Sequence, residues 1–151
     1  LRAVQARGAA GEAVCLERAL GAARAEAAEL RAALEALDGY QARALHQLRI
    51  GLRRLRYATE VVDAVRGRST QAPRLLRDQQ QELGRLHDLW MLARWLEGQA
   101  RRAERAGRQE LAEAARARAV EAQARSERVH GEWWEGDPRA ALARALYALD
   151  E

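Results

Sequence analysis

The sequence predicts an all-α protein, an antiparallel bundle of about four to five helices. Apolar residues recur at spacings of three and four over several long stretches, the period of a helix and not of a strand. Composition agrees: 48% of residues are apolar, many of them Ala, whereas aromatics make up 5% and Phe is absent. That mixture suits close-packed helices better than a sheet, which wants aromatic and β-branched side chains. With 151 residues the chain can bury one substantial core but not comfortably two, so a single domain over 1–151 is expected.

The first helix is expected over residues 12–37, where Leu16, Leu20, Ala23, Ala27, Leu30, Leu34 and Leu37 alternate spacings of four and three, a heptad seam that needs a packed neighbour. Gly8-Ala9-Ala10-Gly11 reads as a loose lead-in, and Asp38-Gly39 as a stop. A second helix follows over about 41–65, with Leu45, Leu48, Leu52, Leu55 and Val62 on its apolar side. Residues 66–73 break the period with Gly, Ser, Thr and Pro and form the clearest loop. Pro73 suits the first turn of a third helix running to about residue 105, with Leu75, Leu76, Leu83, Leu86, Trp90 and Ala93 inward. Gly107 offers a turn into an Ala-rich helix over 109–129, whose only apolar line is Leu111, Ala115, Ala119 and Ala122. The run 130–138 ends it, and Asp137-Pro138, a cap followed by a first-turn proline, opens a short last helix over 139–149.

The second helix carries the chemistry. At about 100° per residue, His46, Arg49, Arg53, Arg56, Tyr57 and Glu60 fall in one stripe beside the apolar one, with Arg54 round the side. Solvated helix faces usually mix both signs at i,i+4, but here three arginines and a histidine precede the first carboxylate, Glu60. Crowded like charges call for an anion. The ladder is about 15 Å long, which suits a linear polyanion whose phosphates each take a forked guanidinium. On the third helix Leu83-Gly84-Arg85-Leu86-His87-Asp88 supplies a second cluster. Gly84 inside a strong helix costs roughly 1 kcal/mol against Ala, which predicts close approach of another helix there. A buried Asp88 needs a cation, and Arg49, Arg53 or Arg56 can supply it.

The two stretches together, His46-x-x-Arg49-x-x-x-Arg53-Arg54-x-Arg56-Tyr57 and, about 23 residues beyond Glu60, Leu83-Gly84-x-x-His87-Asp88, resemble the second repeat of a CHAD domain, the conserved histidine α-helical family. The resemblance covers residues 45–96; no first repeat is evident in residues 1–44, so the chain holds one repeat plus a long leading helix. It implies two facing helical repeats around a basic channel that binds inorganic polyphosphate without turning it over. On this chain it implies that His46, Arg49, Arg53, Arg54, Arg56, Tyr57, Arg85 and His87 face the ligand, supported by Glu60 and by Asp88, which orients the arginines. A homodimer, or an upstream second repeat, is then expected to complete the channel.

Other classes are less well supplied. All 26 basic residues are Arg, which an arginine-rich codon bias also explains, and 22 carboxylates leave a net charge of only +4, so distribution matters more than total. Nucleic-acid binding uses the same electrostatics but lacks aromatics interleaved with the arginines for base stacking. A scaffold with the ladder in internal ion pairs, or an acidic-protein partner, is the remaining alternative. His46, His87 and His130 lie on different elements without metal-ligand spacing, so no metal site is expected, and no cofactor. Phosphoryl transfer would want a Gly-rich phosphate loop or a carboxylate cluster for Mg²⁺; neither is legible, so the protein is read as a non-enzyme. The lone Cys15 reads as a packing residue, and the four tryptophans as core or interface. One cysteine and the lack of any apolar run of about 18 residues lead to the expectation of a cytoplasmic protein that does not enter membranes, with polyphosphate granules as the location its ligand implies.

Overall fold

A computed structural model describes residues 2–150, with side chains described over 11–149. Five helices follow one another: α1 (Arg2–Ala36), α2 (Ala42–Arg66), α3 (Ala72–Arg105), α4 (Gln109–Glu135) and α5 (Pro138–Asp150). No strand occurs among the described residues, and the molecule is an all-α helical bundle.

α1 does not stop at the expected lead-in but runs through Gly8 and Gly11. The alanines between and beside them have the highest helix propensity, which offsets the roughly 1 kcal/mol each glycine costs. Its heptad seam packs as the spacing requires: Ala23, Ala27, Leu30, Leu34 and Leu37 are buried with Leu45, Leu48, Leu52 and Leu55 of α2 in one core. Cys15 lies outside that seam and is exposed. α1 packs tightly on α2 at Gly51, where a Cβ would stand 2.8 Å from Leu30 Cδ2, 2.9 Å from Glu26 Oε1 and 3.2 Å from Leu30 Cγ. Close approach was expected at Gly84 instead; there a Cβ would meet nothing nearer than Arg49 Nε at 3.8 Å. The stop after α1 takes the left-handed conformation at Gly39 (φ 69°), and the Arg139 guanidinium donates to Leu34 O (3.1 Å), satisfying one of the carbonyls a helix end leaves open.

α2 closes on Gly67 (φ 62°), and buried Asp63 in its last turn accepts from Thr70 N (2.8 Å) and Thr70 Oγ1 (3.0 Å). That carboxylate ties the loop down and sets where α3 starts. α3 and α4 form a hairpin about Gly107 (φ 70°) and meet through small side chains, Ala93, Ala100 and Ala103 against Ala112, Ala119 and Ala122. The expected line holds at Ala119 and Ala122 and fails at its start, where Ala112 is buried and Leu111 is 54% exposed. Fully buried Ser126 continues it, donating to Leu86 O (3.3 Å) and pairing with the Tyr40 hydroxyl (2.8 Å).

α4 also extends beyond residue 129 to Glu135. Trp133 explains this, because its buried ring joins the core and its Nε1 donates to Gln79 Oε1 of α3 (2.8 Å), so tertiary packing outweighs the helix-breaking tendency of Gly131. Asp137 caps α5 through Oδ1, which accepts from Ala140 N (3.0 Å), and Leu142, Ala145 and Leu149 enter the core. At the far end Arg66 (2.7 Å) and Arg68 (3.2 Å) donate to Leu149 O. The bundle thereby fixes α2 and α3 side by side along their length.

Candidate functional site

α2 and α3 lie antiparallel with their polar stripes edge to edge. His46 stacks on His87 (centroids 4.5 Å apart, planes at 26°), Arg49 lies over Gly84, and Arg56 Nε donates to Gln80 Oε1 (3.2 Å). As the position number rises on α2 it falls on α3, so one shallow groove collects residues from both helices. The leucines behind each stripe hold this register: Leu45, Leu48, Leu52 and Leu55 of α2 share a core with Leu76, Leu83 and Leu86 of α3.

The two ends of the groove differ. At one end Arg56 Nη1 donates to Glu60 Oε1 (2.6 Å), its side chain only 14% exposed, and Arg77 Nη2 approaches the same carboxylate oxygen (3.5 Å). Two guanidinium groups there share one carboxylate. The Arg56 guanidinium also lies 4.5 Å over the exposed Tyr57 ring. At the other end His46 Nδ1, His87 Nδ1 and Arg49 Nε are all buried atoms without a hydrogen-bond partner. Arg53, exposed between the two ends, has no ion pair or hydrogen bond among the described residues.

Buried polar atoms left unsatisfied are rare, because each forfeits about 1 to 3 kcal/mol. Of six such side-chain atoms among the described residues, three gather here, where a guanidinium meets two imidazoles; the others belong to Asp63, Arg68 and His130. The His87 imidazole titrates below its ordinary 6.5 because burial disfavours its charged form, and because His46 and Arg49 repel a further positive charge; Asp88 opposes the shift. In the free protein this end of the groove therefore disfavours adding charge.

Two expected ligand residues and one expected supporting residue stand elsewhere. Arg54 turns to α1, its guanidinium 3.9 Å from Glu26, because it is one residue on from Arg53 and so about 100° round the helix. Arg85 pairs with Glu82 (3.1 Å) and, with exposed Asp88, lines a cleft shared with Arg125 and Arg128 of α4. Asp88 therefore makes no ion pair with the α2 arginines and does not orient them. Conversely, sequence reading passed over Arg77, Gln80, Trp90 and Arg94. The Trp90 ring lies 5.9 Å from His87, and Arg94 sits 5.3 Å over Trp90, extending the groove past His46. Spacings of 3, 4 and 7 from His87 and Gly84 mark Gln80, Arg77 and Arg94 as neighbours on one face, a signal available once the partner stripe on α2 was known.

No group of three or more His, Cys, Asp or Glu side chains able to hold a metal occurs among the described residues, and none of the helices is long and apolar enough to cross a membrane. The donor set favours binding of anions through guanidinium and imidazole N–H groups. Compared with known proteins, the chain matches no family model, no curated protein and no solved structure.

Proposed function

We propose that the α2–α3 groove binds a linear polyanion and does not act on it chemically, and that the ligand is inorganic polyphosphate, as the CHAD-like pattern of residues 45–96 implies. The observation that carries this reading is a pair of guanidinium groups without a partner, Arg49, whose buried Nε makes no hydrogen bond, and exposed Arg53, which has no ion pair or hydrogen bond among the described residues, beside the stacked imidazoles of His46 and His87. An extended phosphate chain lies along such a groove with successive phosphates at Arg94, Arg49 and Arg53, and reaches Arg77 where Glu60 offsets part of the charge. No group of three or more carboxylate, His or Cys side chains able to hold Mg²⁺ occurs among the described residues, which supports the reading of binding without turnover.

Single-stranded nucleic acid is the second reading, favoured by the ring series His46, His87 and Trp90 beside Arg49, a possible stacking platform. Titration with polyphosphate of defined length, with single-stranded RNA as competitor, separates the two. The expected result is tight, salt-sensitive polyphosphate binding that RNA displaces only at large excess, with no orthophosphate released. Efficient displacement by RNA would transfer the groove to nucleic acid; release of orthophosphate would make the protein an enzyme. The same reading proposes a facing partner, a second copy or an upstream repeat, and a mass measurement with and without polyphosphate tests it: a doubling of mass is expected if two copies enclose the chain.

A further inference from the structure

We propose that a second surface, the apolar groove near the tip of the α3–α4 hairpin, docks an acidic amphipathic helix of a partner protein. The groove has a volume of about 490 Å³, and Trp95, Leu96 and Leu111 line it. Trp95 is 60% exposed and Leu111 54% exposed, so two large apolar side chains that line one groove face solvent. Leu96 comes nine residues after His87, which at about 100° per residue puts it on the opposite side of α3. Trp95, eight residues after His87, is about 80° round, so the groove opens on a neighbouring face of α3, and the proposal does not depend on the function proposed for the basic groove.

Two features of the fold give the groove its shape. His46 stands against His87 and the helices are antiparallel, so the start of α2 at Ala42 is level with Met91. Beyond that point α3 and α4 continue to Arg105 and Gln109 without a third helix from α2. The two also meet through alanines, Ala100 and Ala103 against Ala112, which lets their backbones approach and leaves a long, shallow channel between them. From Trp95 to Ala106 that channel runs about 16 Å, or three turns of a docked helix.

Charge selects the occupant. Arg102, Arg108 and Arg118 rim the groove, and no carboxylate lines it. Arg118 is paired with Glu121 (2.8 Å), whereas Arg102 and Arg108 have no ion pair among the described residues. A second copy of this groove would bring the same three arginines face to face, and an unstructured polyanion leaves the apolar floor uncovered. A helix with apolar residues at i, i+3, i+4 and i+7 flanked by Asp and Glu satisfies both the floor and the rim.

The test selects binders to the whole chain from a display library of peptides about 16 residues long, enough for four helical turns. The recovered sequences should show apolar residues at helical spacing and an excess of Asp and Glu. Trp95→Ala should weaken a recovered peptide by about tenfold or more, as for a central aromatic anchor, and Arg102→Glu with Arg108→Glu should shift selection to Lys-rich peptides. Both sites are exposed, and an unchanged circular-dichroism melt verifies that the variants fold. Failure to enrich any sequence, enrichment of basic or aperiodic ones, or indifference to Trp95→Ala overturns the proposal. So does self-association in sedimentation that Trp95→Ala abolishes, because a second copy would then occupy the groove.

Discussion

The sharpest division in the basic groove is between arginines that already hold a carboxylate and those that do not, and replacing them separately turns it into numbers. Arg49 and Arg53 have no ion pair among the described residues, whereas Arg56 donates to both Glu60 and Gln80 with its side chain 14% exposed. If Arg49, Arg53, Arg77 and Arg94 each meet a phosphate, about four contacts at roughly 0.7 per contact for a single chain give a log–log salt slope near 2.8, or about a 50-fold loss of affinity between 50 and 200 mM salt. Arg49→Gln with Arg53→Gln should cut the slope by about 1.4 and leave the folding free energy within about 0.5 kcal/mol of the parent. Arg56→Gln should do the opposite, costing about 1 to 2 kcal/mol of stability through the lost hydrogen bonds and changing the slope little. The assays are fluorescence anisotropy with labelled polyphosphate across a salt series, and urea unfolding of each variant. If the Arg49/Arg53 variant keeps its full salt slope, or loses stability as Arg56→Gln does, the ladder is an internal scaffold and the groove reading fails.

Three further outcomes follow from the same contacts. Glu60→Gln releases Arg56 and Arg77 from their shared carboxylate; Arg77 already counts among the four contacts, so only Arg56 is added, the salt slope should steepen by up to about 0.7, and affinity should rise, measured by the same anisotropy series. Gly51→Ala should destabilise by about 1 to 2 kcal/mol, because its Cβ would stand 2.8 Å from Leu30 Cδ2, while Gly84→Ala, with 3.8 Å to Arg49 Nε, should stabilise by up to about 1 kcal/mol through helix propensity; urea midpoints of opposite sign verify the pair. His87 and His130 both titrate below 6.5 in the folded protein, mainly through burial, so unfolding takes up protons: stability should be greatest above pH 6.5 and fall as the pH drops through the lowered values. If polyphosphate binds beside His87, its negative charge raises the His87 value, so affinity should rise over the same acid range, and His87→Gln should flatten that rise in a pH series of titrations.

The helices were legible where apolar residues of useful size repeat. Leucines at fours and threes fixed α1, and Leu45 to Val62 fixed the core side of α2. Alanine weakened the signal in α4: Ala119 and Ala122 do lie on the buried line, but the larger Leu111 stood in for Ala112 at its start and small, polar Ser126 gave no sign of continuing it. The end of α4 was out of reach because it depends on Trp133 finding Gln79, a contact 54 residues apart in the chain. Gly51 and Gly84 look alike in sequence, each inside a strong helix, yet only one sits where a neighbouring leucine presses on the backbone. Local pattern names the glycine; the partner helix decides its purpose.

The candidate site was half legible for a related reason. Membership of a stripe follows from periodicity, which is why His46, Arg49, Arg53 and Arg56 lie along one groove, while Arg54, about 100° onward, turns to Glu26. Whether an arginine is available to a ligand depends on what the facing helix presents, and α3 presents differently along its length. Opposite Arg56 it offers Gln80, and Arg77 competes for Glu60; opposite Arg49 it offers only the bare backbone of Gly84 and a second imidazole. The missing side chain at Gly84 thus matters less for bringing helices together than for leaving the Arg49 guanidinium in contact with no acceptor. A continuous row of like charges in the sequence becomes, once folded, a graded groove whose unsatisfied end is the one carrying both histidines, so charge availability and proton exchange are concentrated at the same place.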